Sequence, residues 1–127
     1  MSLDENKIKK DLFEKGLEAY NNKKFYDAHE HWEDLWSDYV LHDAKFIQAL
    51  IQLSVGYFHI TNLNMNGANG LLSKSIKKLS QFKPQCRGID VDYLIQCAEK
   101  SLNNLSNTNL YAQSKSDLSV SSEKSRC

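Results

Sequence analysis

The amino-acid sequence predicts an all-α protein, a single domain of about five helices in a bundle. Three observations carry that expectation. Apolar residues recur at helical spacing in five successive stretches, and no stretch alternates as a half-buried strand would. The 127 residues hold one proline and five glycines, too few breakers for a strand-and-turn architecture. A length of 127 residues suits one compact domain and no second.

The elements follow in order. Ile8, Leu12, Phe13, Gly16, Ala19 and Tyr20 share one side of a first helix, with Ser2 and Glu5 spaced as a capping box. Asn21-Asn22-Lys23-Lys24 reads as a short turn. A second helix spans about Phe25 to Tyr39 and carries both tryptophans. Asp43 can cap a third, from about Ala44 to Asn62, which is apolar on almost every side and therefore central. Asn62 to Asn66 is a polar connection. The fourth helix, from about Gly67 to Phe82, turns Ala68, Leu71, Leu72, Ser75 and Leu79 inward. Pro84 and Gly88 mark a loop. Asp90 or Asp92 opens a fifth helix on Val91, Leu94, Ile95, Ala98, Leu102 and Leu105. Residues 1–105 thus form the helical domain. Residues 106–127, rich in Ser, Asn and Lys, bury too little apolar surface to offset ordering entropy and read as a flexible tail.

Charge and composition narrow the function classes. Sixteen basic side chains balance sixteen acidic ones, which argues against a whole-domain footprint for nucleic acid or anionic membrane. The longest apolar stretch, Phe46 to Ile60, is interrupted by Gln48 and Gln52 and falls short of the ~20 residues a membrane span needs. Cys86, Cys97 and Cys127 form no CxxC pair, and the N-terminus has no apolar signal region. Reduced thiols and a cytoplasmic location are expected, or the plastid stroma in a eukaryote.

An internal repeat is also visible. Gly16, Ala28 and Trp32 match the spacing of a tetratricopeptide-type helix hairpin, and Gly56, Ala68 and Leu72 repeat it forty residues later. Small residues at such positions let two helices approach, and the large residue fills the groove between them. The helices are longer than in a standard repeat, so a distorted relative of that hairpin is expected.

Chemistry concentrates in two places. With residues at ~100° intervals, Phe25, Ala28, Trp32, Leu35 and Trp36 form one broad apolar face of the second helix. His29 lies at its margin, Glu33 ~40° further round, and Glu30 in between face and solvent. On the third helix Gln48, Gln52 and His59 share one stripe within ~40°. Buried amides and imidazoles need hydrogen-bond partners, so the two stripes are expected to face each other in one polar cluster. Three explanations stand for it: a satisfied network that fixes helix register, a ligand or partner pocket beside the tryptophans, or a metal or catalytic centre. His29-Glu30-x-x-Glu33 resembles a zinc-protease His-Glu-x-x-His lacking its second histidine, so a metal would rest on His29, Glu33 and His59. His31 and His42 read as surface residues. No activating base neighbours Cys86 or Cys97 in sequence.

These residues together resemble a known family. The run Tyr26-Asp27-Ala28-His29-Glu30 … Glu33 … Trp36, then Phe46-Ile47-Gln48-Ala49-Leu50-Ile51-Gln52 … His59, then Asn64 … Gly67-Ala68 … Leu71-Leu72, is similar to domain-of-unknown-function family 309. The resemblance covers roughly Phe13 to Leu105. It implies a small all-helical protein in which the His-Glu-x-x-Glu-x-x-Trp and Gln-x-x-x-Gln stretches are signature positions, and it implies no activity. Ala49, between the glutamines, and Leu63-Asn64 in the turn stand where the family usually has glycine and Gly-Asn.

The preferred functional expectation is a non-enzymatic helical domain. It binds a protein, peptide or small ligand in a groove near His29, Glu33, Gln52 and His59, and homo-oligomerisation is a further partner possibility. The alternative is a metal-dependent hydrolase using His29, Glu33 and His59. No cofactor is predicted, and only the alternative would take a divalent metal.

Overall fold

Helix ends define the architecture. The computed structural model describes the backbone of residues 2–110 and the side chains of residues 4–106. Helix α1 spans Ser2–Asn21 and α2 spans Phe25–Asp38. Between them Lys23 takes a left-handed φ of 62° and the Lys24 N–H reaches back 2.8 Å to the Ala19 carbonyl. That closure satisfies carbonyls a helix end would otherwise leave unpaired. Helix α3, Ala44–Thr61, ends the same way forty residues on: Leu63 has φ 61°, and the Asn64 N–H donates to the His59 carbonyl at 2.8 Å. Helix α4 covers Met65–Leu79, its N-terminus capped by Asn64, whose side-chain oxygen accepts the Gly67 N–H at 3.0 Å. The helix therefore starts before the expected Gly67, and its last turn passes into a 3₁₀ turn, Ser80–Phe82.

The same contact then builds both hairpins. Gly16 of α1 lies so close to the Trp32 indole of α2 that a Cβ would overlap the ring, and Trp32 Nε1–H donates to the Phe13 carbonyl at 3.1 Å. A Cβ on Gly56 would lie 2.8 Å from Leu72 Cδ2. Ala28 and Ala68, fully buried, complete each set. Consecutive helices pack on one another, and α3 sits between α2 and α4. Phe46, Ile47, Ala49, Leu50 and Leu53 of α3 are almost wholly buried, as expected of the central helix. Across it, Ser75 Oγ donates to the Ala49 carbonyl at 2.9 Å.

Several local expectations are corrected. Two short strands exist, β1 (Gln85–Cys86) and β2 (Ile89–Asp90), paired antiparallel through Arg87 and Gly88. Both turn residues have positive φ, as a tight two-residue hairpin requires. Two residues per strand are too few to leave an alternating pattern in the sequence. Asp43 stands at the N-terminus of α3 but makes no side-chain cap bond. Its carboxylate instead accepts two bonds from Arg87, from Nε at 2.6 Å and from the terminal nitrogen at 3.1 Å. The Arg87 guanidinium also stacks 4.8 Å from the Phe13 ring centre. Ile8, expected to face inward, is 45% exposed.

Helix α5, Val91–Leu110, opens as anticipated at Asp90, whose carboxylate accepts the Tyr93 N–H at 3.0 Å. It continues past Leu105 into the segment expected to be tail, of which residues 111–127 lie outside the described residues. The Ser2 side chain of the anticipated capping box does too. Cys86 is a free thiol, but Cys97 is disulfide-bonded, which corrects the expectation of reduced thiols there. Among the described residues no helix is long and apolar enough to cross a membrane.

Candidate functional site

The short connection between α2 and α3 makes the two helices antiparallel, and aromatic pairs fix their register. Phe25 meets Tyr57 and Tyr26 meets Phe58, with ring centres 5.2 and 5.3 Å apart. Stepping along α2 while stepping back along α3 brings Glu33 about level with Gln52, and Trp36 about level with Gln48. On the flank of α2 that turns toward Phe58, Tyr26 stacks 5.4 Å from His29. Tyr26 is 50% exposed and Trp36 38%. The wheel had put Trp36 with the buried apolar face. At ~40° from Trp32 it falls just outside the core and forms a lip instead.

On α3 the stripe of Gln48, Gln52, Val55 and His59 is half-buried throughout. Helix α2 closes on one side of it, through Phe58 and Tyr26. Helix α4 closes on the other: Leu72 presses on Gly56, and a Cβ on Gly67 would lie 2.9 Å from His59 Cδ2. The stripe is thus the floor of an open groove between α2 and α4. At its end Asn64 Oδ1 takes the Gly67 N–H, so Asn64 Nδ2 donates to His59 Nδ1 across 3.3 Å. The remaining ring proton of a neutral His59 is then on Nε2.

Two polar atoms in this region are buried and unpartnered: His29 Nδ1 on α2 and Gln52 Oε1 on α3. His29 Nε2 lies 3.6 Å from Glu33 Oε1, a separation too long for a good hydrogen bond. Their side chains are 25% and 46% exposed. Among the described residues, neither His29 nor Glu33 hydrogen-bonds to Gln52 or His59. The two stripes, expected within direct or one-water hydrogen-bonding reach of each other, are therefore not joined by a direct bond. Nor do three His, Cys, Asp or Glu side chains gather to hold a metal ion among the described residues, so His29, Glu33 and His59 form no ligand set. Glu30 points to solvent and His31 is half-buried.

Three contributors escaped sequence reasoning. Tyr26 and Phe58 supply the aromatic link across α2 and α3, and Asn64 orients His59. A signal for Asn64 existed in the repeated turn, since it occupies the place that Lys24 takes in the first hairpin. Away from the groove, burial and the nearby Asp43 carboxylate push the Cys86 thiol up, which suppresses its thiolate.

The model of one protein family, described as Domain of unknown function (DUF309), matches residues 13–71. The matched segment runs from the middle of α1 to the middle of α4, so it holds all of α2 and α3 and the first half of α4, and leaves out α5. No curated protein and no solved structure matches the chain.

Proposed function

We propose, from the premise that residues 13–71 belong to the DUF309 family, that this chain is a non-catalytic recognition domain whose α2–α4 groove binds an extended peptide segment of a partner protein. The carrying observation is the pair of buried, unpartnered atoms, His29 Nδ1 on α2 and Gln52 Oε1 on the neighbouring α3, in a region with two exposed aromatics. Unpaired buried polar groups are costly in a free protein. A peptide backbone offers both the N–H that Gln52 Oε1 lacks and further carbonyls and amides for Gln48 and Glu33. Tyr26 and Trp36 on the lip are the residue types that anchor protein partners. The twice-built hairpin supports a tetratricopeptide-like reading, an architecture suited to peptide recognition. Residues for acyl transfer or metal-assisted hydrolysis do not converge here, which favours binding over the hydrolase alternative.

Selection of peptides from a random displayed library on the full chain tests this reading. Recovered peptides should share a consensus, and Trp36→Ala or Gln52→Ala should weaken their binding roughly tenfold or more, the loss of one anchor or one buried hydrogen bond. Peptides that bind both variants as well as the native chain would sink the proposal.

A further inference from the structure

Charge in the α2–α3–α4 layer is sorted by helix. Helix α2 carries Asp27, Glu30, Glu33, Asp34 and Asp38 and no lysine or arginine. Helix α4 carries Lys74, Lys77 and Lys78 and no carboxylate. The open stripe of α3 between them has neither. The chain is neutral as a whole, so one face of it is acidic on one flank and basic on the other. Among the described residues, Asp27, Glu30, Asp34 and the three α4 lysines make no ion pair, and Glu33 meets only His29.

The opposite charges also stand at matching heights. Ser75 meets the Ala49 carbonyl and Leu72 meets Gly56, which puts Lys74 about level with Gln52 and Lys78 about level with Gln48. Glu33 is about level with Gln52 too, with Glu30 one turn away. Around α2, Glu30 and Glu33 lie within ~40° of the exposed Tyr26. Around α4, Lys74 and Lys78 lie within ~20° of Gly67, which borders the stripe at His59. All four therefore flank the stripe on one face. A two-fold axis in the plane of that face and parallel to α3 keeps heights and exchanges left for right. It sets α2 of each copy on α4 of the other, carboxylate against lysine, twice over. A two-fold axis across the helices would set like charge on like. Half-buried Gln48 suits the first arrangement, since an amide both donates and accepts and so pairs with its own copy. Exposed Tyr26 and Trp36 add the apolar area that a charged rim alone lacks.

We propose that the chain forms a homodimer through this face, with the acidic α2 of each copy against the lysine-bearing α4 of the other. The contact covers the α2–α4 groove, so a peptide would compete with the second copy. The dimer rests on the charged flanks alone, and failure of the peptide selection leaves it standing.

Sedimentation equilibrium of the full chain at low and high salt tests the proposal. The native chain should be a dimer at low salt and should loosen as salt screens the flanks. Lys74→Glu with Lys78→Glu, and separately Glu30→Lys with Glu33→Lys, should each weaken self-association by about tenfold or more, because either pair of changes opposes like charges. Mixed in equal amounts, the two variants should form a heterodimer, since both contacts then join opposite charges. The proposal is overturned by a native chain that is monomeric at low salt, or by a dimer indifferent to both reversals. A mixture that stays monomeric while circular dichroism shows both variants helical overturns it as well. Should either variant fail to fold, the native chain still decides: association that salt leaves unchanged or strengthens contradicts the proposal.

Discussion

A buried carboxylate such as Asp43, 8% exposed, survives folding only with a partner of good geometry. Arg87 supplies it with a two-pronged contact at 2.6 and 3.1 Å and ties the small hairpin to the start of α3. The hydrogen bond from Arg87 is the largest influence on Asp43 and holds its carboxyl below the ordinary aspartate range, against the opposing effect of burial. A carboxyl depressed in the folded state adds stability that is fully present above its unfolded pKa of ~3.9, and that fades as pH falls through the folded value. Asp43→Asn should therefore lower stability by about 2–3 kcal/mol at neutral pH. The gap between variant and native chain should narrow below about pH 4, as seen by denaturant unfolding at pH 7 and pH 3. A gap independent of pH would mean that the ion pair contributes nothing. The sequence offered Asp43 as a helix cap because capping is a local signal. Its true partner lies 44 residues away, and nothing short of the folded chain brings the two together.

At the scale of elements, close approach between α1 and α2 depends on Gly16 having no side chain. Gly16→Ala would drive a methyl group into the Trp32 indole and force one helix to move, costing about 2–3 kcal/mol. Gly70→Ala is the control, since nothing lies within 4 Å of its Cβ position, and there the better helix former should be neutral or stabilising by up to about 1 kcal/mol. Thermal unfolding of the two variants checks both signs, and equal effects would contradict the packing described. This part of the fold was legible because helical period and small-residue spacing are short-range properties, as the recurrence of Gly16, Ala28 and Trp32 in Gly56, Ala68 and Leu72 illustrates. The start of α4 was misread because Asn62, Asn64 and Asn66 are all capable caps. Only the left-handed Leu63 selects Asn64 among them.

For the molecule as a whole, the decisive feature is that α3 lies between α2 and α4 yet keeps one stripe open. Rotation about a helix axis is set by sequence position, so the alignment of Gln48, Gln52 and His59 could be read directly. Whether that stripe meets His29 and Glu33 depends on helix crossing and depth, which the sizes of Phe58, Tyr26 and Leu72 determine. Those are long-range facts, and no direct hydrogen bond joins the two stripes. The central claim is that Gln52 serves recognition rather than the fold. The most direct measurement is the unfolding free energy of Gln52→Met, a swap of similar shape that removes the unpartnered oxygen. Because Oε1 bonds nothing in the free protein, stability should stay within about 0.5 kcal/mol of the native chain or rise, as expected where a site is held against stability. A loss of about 2 kcal/mol or more would show that Gln52 is paired in solution, and that the stripe belongs to the core after all.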